Sequence, residues 1–242
     1  TKPIISVDAG SGNTSTYYLD DIWVYRAIPT NNMIALDFNN YAVGAFTGGN
    51  GVTVPSGNNA TIVQPAANEP GYANGDKVLK VDANKSFFTL NDPDMLAYIN
   101  NHGAFVVDFT FYKENMNAVP RFMMRNNGWQ TFSLLNIQAY TGGKVHMPYV
   151  NNGTLSYYNV TPTAGEWHRF VLKVHYTDNN TLAYSAYMDD MVNPIVNNAV
   201  ITTANGLGAL PLINLEFATT SGSGSVYLTN ASVYKGTDIV NP

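Results

Sequence analysis

The chain has 242 residues, a net charge of −5, and a composition in which 45% of residues are hydrophobic and only 12% are charged. This balance argues against nucleic acid as a partner, because no basic stripe is available to neutralise phosphates. The absence of cysteine excludes disulfides and thiolate metal sites. No run of about 18 apolar residues occurs, so we expect no insertion into a membrane.

The N-terminal residues resemble the C-terminal ones. Residues 18–26 (YLDDIWVYR) can be aligned with residues 227–235 (YLTNASVYK). Such repeats are typical of tandem modules, so we expect residues 1–27 to be a terminal hairpin, the tail of a preceding module, packed on a main domain of residues 28–242. The alternatives are an integral first hairpin of this domain and a chance likeness. The first residues do not have the pattern of a signal peptide. We therefore expect this sequence to be a segment of a longer protein.

Short strands and polar turns dominate the first hundred residues. Residues 33–39 (MIALDFN) read as the opening strand of the main domain, and residues 44–76 as a long loop region with short strands. Alternating strands are predicted at 77–81 and 86–90. Asp92 and Pro93 stand ahead of an apolar turn, which predicts one short helix.

The strongest alternation lies at residues 104–112 (AFVVDFTFY), where four apolar residues share one face. Further strands are separated by turns rich in Asn and Gly. They are predicted at 121–125, 131–140, 144–150, 155–160, 199–202, 212–218 and 226–234. Many short strands at near-regular spacing predict an all-β fold, a two-sheet antiparallel β-sandwich (jelly roll) with at most one short helix.

Residues 165–190 (GEWHRFVLKVHYTDNNTLAYSAYMDD) read as two strands joined by a polar turn. His168 falls on the apolar face of the first strand and is expected in the core, as is Trp167. A Gly-Glu-Trp entry into an alternating strand, and a return strand ending in an Asp pair, resemble the laminin-G-like or concanavalin-A-like jelly-roll domains. The resemblance implies a fold that hosts lectins, carbohydrate-binding modules, hydrolases and lyases alike.

The fold that the resemblance implies also hosts two kinds of enzyme that cleave polysaccharides. Retaining glycoside hydrolysis needs two carboxyls flanking one bond, and the sequence has no Glu-x-Asp-x-x-Glu run, so hydrolysis is disfavoured. A lyase acting on a uronate-containing polymer needs a cation for the carboxylate and a Tyr or His to move the proton. Polar residues that share a strand face between positions 121 and 149 keep this alternative open. The sets are Arg121 with Arg125, Asn136 with Gln138 and Tyr140, and Lys144 with His146.

A non-catalytic carbohydrate-binding module, as in lectins, needs fewer specific residues than an enzyme. Sugars stack on exposed aromatic rings and form hydrogen bonds with the polar groups around them. Trp129 follows Asn-Asn-Gly in a turn and is the main candidate. The other predicted ligand residues are Arg125, Gln138, Tyr140, His146 and Tyr149. The sequence thus predicts an extracellular or cell-surface module that binds a polysaccharide or glycan beside neighbouring modules of the same polypeptide. A structural or adhesive spacer is the remaining alternative.

A structural calcium ion is also predicted. The jelly-roll resemblance implies one between the opening strand and the last hairpin, bound by hard oxygen ligands. Asp37 and Asn39 supply such oxygens at the end of the opening strand. These two residues are the predicted metal ligands.

Overall fold

The computed structural model of the chain describes residues 31–57, 60–82, 87–118, 120–126, 131–138, 144–151, 154–202, 209–219 and 223–236. These residues form two antiparallel sheets that stack as a sandwich, with one short α-helix. The all-β prediction is therefore confirmed. The predicted terminal hairpin at residues 1–27 lies outside the described residues. No helix among the described residues is long and apolar enough to cross a membrane.

Sheet A has nine strands. In chain order they are β1 (Asn32–Asp37), β2 (Gly44–Ala45), β4 (Ala60–Val63), β5 (Val78–Asp82), β7 (Phe105–Lys113), β12 (Trp167–Asp178), β13 (Thr181–Met188), β14 (Val196–Thr202) and β16 (Ser225–Lys235). Their spatial order is β14-β13-β12-β7-β16-β5-β4-β2. Strand β1 pairs with the second half of β16, while β5 pairs with its first half.

Sheet B has seven strands. They are β3 (Val52–Thr53), β6 (Phe87–Leu90), β8 (Pro120–Asn126), β9 (Thr131–Gln138), β10 (Lys144–Asn151), β11 (Thr154–Val160) and β15 (Leu212–Thr219), in the spatial order β11-β10-β9-β8-β15-β6-β3. All of their pairings are antiparallel. The boundaries agree with the predicted strands to within a few residues, because Asn/Gly turns end each alternating run.

The core lies between the sheets and is built on aromatic rings. The ring of Phe217 contacts those of Phe88, Phe109 and Phe122, at centroid distances of 4.9, 5.1 and 5.0 Å. These rings come from both sheets, and each is 5% exposed or less. Edge-to-face and offset pairs of this kind add stabilisation beyond the burial of apolar area.

The α-helix α1 (Pro93–Asn100), the only one among the described residues, forms where the sequence predicts it. The side chain of Asp92 caps it by accepting a hydrogen bond from the backbone N–H of Met95 at 2.9 Å, and Pro93 occupies the first turn. Met95 and Ile99 are fully buried. A 3-10 turn, η1 (Phe38–Asn40), follows β1.

The hairpin β12–β13 places His168 in the core, as predicted, at 5% exposure. Its Nε2 lies 2.9 Å from the carbonyl oxygen of Thr163, and its Nδ1 lies 2.7 Å from a carboxylate oxygen of Asp189. Asp189 also accepts from the backbone N–H of Arg169 at 2.9 Å. Asp190 accepts from the Asn193 side chain and nearby backbone, and these hydrogen bonds hold its pKa below the ordinary value. Both aspartates therefore stabilise the end of the hairpin.

Candidate functional site

Sheet B brings several of the predicted polar positions into adjacent rows. Asn136 stands opposite Arg121, and His146 stands opposite Asn136. Gln138 stands opposite Lys144 in the next row. Residues directly opposite each other in an antiparallel pair share a face of the sheet. The backbone therefore aligns these positions across β8, β9 and β10.

A β-bulge in β9 makes this alignment possible. Phe122 pairs with Leu135, but the next residue, Met123, pairs with Ser133, so β9 carries one extra residue. The bulge shifts the phase of β9 relative to β8. The side chains of Gln138 and His146, and all of Trp129 and Tyr140, lie outside the described residues. Their role in ligand binding stays a prediction.

Arg125 is paired within the chain. Its Nε lies 2.6 Å from one carboxylate oxygen of Glu216, and its Nη2 donates to the other at 3.2 Å. Glu216 is 4% exposed. Burial raises the pKa of Glu216 above its ordinary value, and the guanidinium groups of Arg125 and Arg121 oppose this rise. Arg125 thus neutralises the carboxylate of Glu216 in the same chain and not the carboxylate of a ligand.

Tyr149 lies on the other side of β10 from the position of His146. It stands two residues from Met147 on the same strand and so shares the face of Met147, which is fully buried in the core. Its ring packs on that of Tyr158 with centroids 4.3 Å apart. The predicted ligand residues are therefore divided between two faces of sheet B.

A polar cavity of about 440 Å³ lies on the outer face of sheet A, the face turned away from sheet B. We call it the β16 cavity. Strands β1, β16 and β7 form its floor, and its polar groups come from side chains that include Asp37, Asn39, Asp76, Asn230, Ser232 and Tyr234. Hydroxyl and amide groups that donate and accept stand beside carboxylates that accept. Such a set suits a neutral ligand with many hydroxyl groups.

A second β-bulge creates the floor of the β16 cavity. On β16, Leu228 pairs with Phe111 but Asn230 pairs with the adjacent Thr110, so Thr229 is the extra residue. Before the bulge Leu228 faces the core, and after it Ala231 does. The bulge thereby turns Asn230, Ser232 and Tyr234 to the outer face. The sequence carries this signal as a one-residue slip in the apolar alternation of residues 226–233, although strict alternation along the strand hides it.

The charge inside the β16 cavity comes from both exposed and buried carboxylates. Asp37 and Asp76 are exposed. Asp108 is 2% exposed and accepts two hydrogen bonds from Arg169, at 3.1 and 2.7 Å, so its charge is compensated. The exposed carboxylates repel anions. The cavity therefore favours a neutral ligand over a uronate.

The two predicted calcium ligands both border the β16 cavity. Asp37 accepts from the backbone N–H of Asn39 at 3.0 Å, and the side-chain oxygen of Asn39 accepts from the backbone N–H of Lys77 at 2.9 Å. Each side chain thus has a local structural role that needs no ion. Among the described residues, no three or more acidic or histidine side chains are grouped closely enough to hold a metal. Calcium at this position stays a prediction.

The core position predicted for Trp167 is wrong. Trp167 stands opposite Tyr112 on the outer face of sheet A, where it is half-buried, and the two rings lie 5.5 Å apart. Its indole N–H donates to the carbonyl oxygen of Tyr72 at 3.2 Å. Trp167 precedes His168, and successive strand residues point to opposite faces. Because His168 takes the core side, the tryptophan is turned outward.

Comparison with known proteins identifies likenesses of fold. No protein-family model matches the sequence, and no curated protein matches it significantly. The carbohydrate esterase of the Shiga toxin-encoding bacteriophage phi24B is similar with a TM-score of 0.52 and 16% identity, over 85% of this chain and 98% of the other. Domain 4 of AbnA, a GH43 extracellular arabinanase from Geobacillus stearothermophilus solved in complex with arabinotriose, gives a TM-score of 0.52 and 12% identity, over 85% and 93%.

Proposed function

We propose that this chain is a non-catalytic glycan-binding module of the laminin-G-like jelly-roll type. The observation that carries the proposal is the β16 cavity, in which amide, hydroxyl and carboxylate groups line a space of about 440 Å³. That volume falls within the range of ordinary ligand sites. Sugar hydroxyls both donate and accept hydrogen bonds, and this set of side chains can do the same.

The fold likeness supports a carbohydrate partner. Domain 4 of AbnA, which has the same sandwich fold, was solved with arabinotriose, and its parent enzyme is extracellular. An arabinan-type oligosaccharide carries no charge, and the carboxylates of the β16 cavity favour an uncharged ligand. We place the module outside the cell, with residues 1–27 as the tail of a neighbouring module of the same polypeptide. Fold alone does not set a ligand, so the chemistry of the cavity is the main support.

The lyase is the second candidate function. The backbone register of positions 121, 136 and 146 across sheet B favours it, because an arginine, an asparagine and a histidine then occupy paired positions in one row. The pairing of Arg125 with Glu216 weighs against it, since that cation already has a buried carboxylate partner. Binding without catalysis therefore remains the favoured function.

Glycan binding is tested by a screen on a glycan array followed by calorimetric titration. The double variant Asp76→Ala, Asn230→Ala is expected to lower affinity at least about tenfold, because it removes two hydrogen-bonding groups of the cavity. Asp94→Ala is the matched control, an exposed carboxylate in the first turn of α1 whose loss leaves affinity unchanged.

Two further variants separate the candidate surfaces. A loss of affinity in Trp129→Ala, with the Asp76 and Asn230 variant unaffected, would move the site to the turn at residues 126–130. Absorbance from an unsaturated product on uronate polymers, abolished by His146→Ala, would establish the lyase instead. If the unsubstituted protein bound no glycan on the array, only the spacer function would remain.

Calcium at Asp37 and Asn39 is tested by thermal unfolding. At a calcium concentration of about one hundred times Kd, a bound ion raises Tm by roughly 5 °C, because binding to the folded state alone adds about 2.7 kcal/mol. The expected shift disappears in Asp37→Asn, which removes a charged ligand while keeping an acceptor for the N–H of Asn39. A Tm unchanged by both calcium and EDTA would refute the prediction.

A further inference from the structure

A second cavity on the outer face of sheet A lies further along the same strand. It measures about 330 Å³ and is lined by residues that include Glu69, Lys80, Glu114 and Tyr227. We call it the β5 cavity. Tyr227 is near the start of β16, whereas Asn230, Ser232 and Tyr234 of the β16 cavity follow it on that strand. The two cavities are thus neighbours along β16.

The side chains of the β5 cavity are held in place. Glu69 accepts from the backbone N–H of Ala66 at 2.7 Å, and Glu114 accepts from the backbone N–H of Ser225 at 2.7 Å. Burial raises the pKa of Tyr227, and the Glu114 carboxylate adds to the rise, so its phenol stays protonated and can donate. Polar groups fixed before binding lose little freedom when a ligand arrives.

The segment of residues 65–76 lies on the outer face of sheet A and borders both cavities; we call it the ridge. Its first residues border the β5 cavity, and Asp76 at its end borders the β16 cavity. Gly71 packs on the ring of Tyr227 so closely that a Cβ there would lie 2.4 Å from a ring atom, and its φ is +77°. Only glycine fits this conformation and this space.

Tyr72 stands on this ridge. Its carbonyl oxygen accepts from the indole of Trp167 at 3.2 Å, which anchors its backbone to the sheet. Its side chain is 37% exposed, a large fraction for an aromatic residue whose neighbour Gly71 is buried. An exposed ring on an anchored backbone, in a segment whose two ends border polar cavities, is an arrangement that can stack on a sugar face.

We propose that the ligand is a linear oligosaccharide of several residues that spans both cavities along β16 and stacks on Tyr72 between them. This inference rests on the proposed glycan-binding function and adds the ligand's length and the stacking residue. From Tyr227 to Ser232 the strand extends roughly 17 Å. One sugar residue is too short to contact both ends of that span.

The test uses oligosaccharides of two, four and six residues cut from a polysaccharide that the array identifies. Titration is expected to give an affinity that rises with chain length. Tyr72→Ala is expected to lower the affinity for the six-residue chain about tenfold. Tyr72→Phe keeps the ring and retains binding. Tyr157→Ala is the matched control, since this tyrosine of sheet B is 47% exposed and its loss leaves the affinity unchanged.

The possible outcomes separate this inference from the proposed function. If the disaccharide binds as tightly as the longer chains, or Tyr72→Ala binds as the parent does, the spanning ligand is refuted while glycan binding stands. A loss in Tyr157→Ala with none in Tyr72→Ala would move the stacking surface to sheet B and also refute it. A parent protein that binds no glycan at all would remove the proposed function and, with it, this inference.

Discussion

Replacing Arg169 by methionine is expected to lower the free energy of unfolding by about 3 to 5 kcal/mol. Arg169 donates two hydrogen bonds to the carboxylate of Asp108, at 3.1 and 2.7 Å, and Asp108 is 2% exposed. Methionine retains much of the aliphatic length of arginine but has no N–H to donate, so a buried charge loses its counter-ion. Urea unfolding followed by circular dichroism measures the change.

The double variant Arg169→Met, Asp108→Asn is the control for this prediction. An amide at position 108 carries no charge and needs no counter-ion, so the double variant is expected to be more stable than Arg169→Met alone. If the single variant lies within about 1 kcal/mol of the parent, or if the double variant recovers nothing, the buried pair is not the source of the stability assigned to it.

Replacing Lys113 by methionine is expected to raise the free energy of unfolding by about 2 kcal/mol. Lys113 ends β7 opposite Val226 and is fully buried. Among the described residues, none offers its Nζ a hydrogen bond. Burial lowers the pKa of the Lys113 amine below 10.5. Methionine fills a similar space without a polar group, which removes the cost of desolvating the amine.

The pH dependence of this gain has a definite sign. Because the pKa of Lys113 is lower in the folded state, the unfolded chain binds more protons between the folded pKa and 10.5. The free energy of unfolding of the protein with Lys113 therefore increases as pH rises through that window. The advantage of Lys113→Met should be largest at neutral pH and shrink as pH approaches 10.5.

Urea unfolding at pH 7 and pH 9.5 checks both statements. Lys235→Met is the matched control, an exposed lysine whose Nζ lies over the ring of Tyr98, so its loss should cost less than about 1 kcal/mol at either pH. A Lys113→Met protein less stable than the parent at pH 7 would mean that the amine has a stabilising partner. An advantage that grows with pH would contradict the lowered pKa.

The candidate site was only partly readable from the sequence. The sequence predicts Asp37 and Asn39 as calcium ligands, and the structure puts both at the rim of the β16 cavity. Asn230 and Ser232 were missed because strict alternation would have placed them with Leu228 on the core side. The one-residue bulge at Thr229 decides their face. The apolar alternation of residues 226–233 does slip by one residue, but the pairing with β7 shows that the slip is a bulge inside one continuous strand.

The ridge that carries Tyr72 was also beyond the reach of sequence reasoning. Residues 44–76 read only as a long polar loop region, and nothing in that composition says which sheet the loop crosses. The contact of Gly71 with Tyr227 joins residues more than 150 positions apart. The usual burial of large apolar rings predicts Trp167 in the core, yet its neighbour His168 takes the inward position and bonds to Asp189 and Thr163.

The sequence by itself determined the all-β class, nearly all the described strands, the α-helix at Pro93–Asn100 and the absence of disulfides. These follow from local rules: the alternation of apolar residues, the turn preference of Asn and Gly, the cap at Asp92, and the lack of cysteine. Only the tertiary structure decided which faces meet, where the bulges in β9 and β16 fall, and which loop lies across which sheet. Those features depend on pairing between residues far apart in the chain, and local pattern carries no information about such partners.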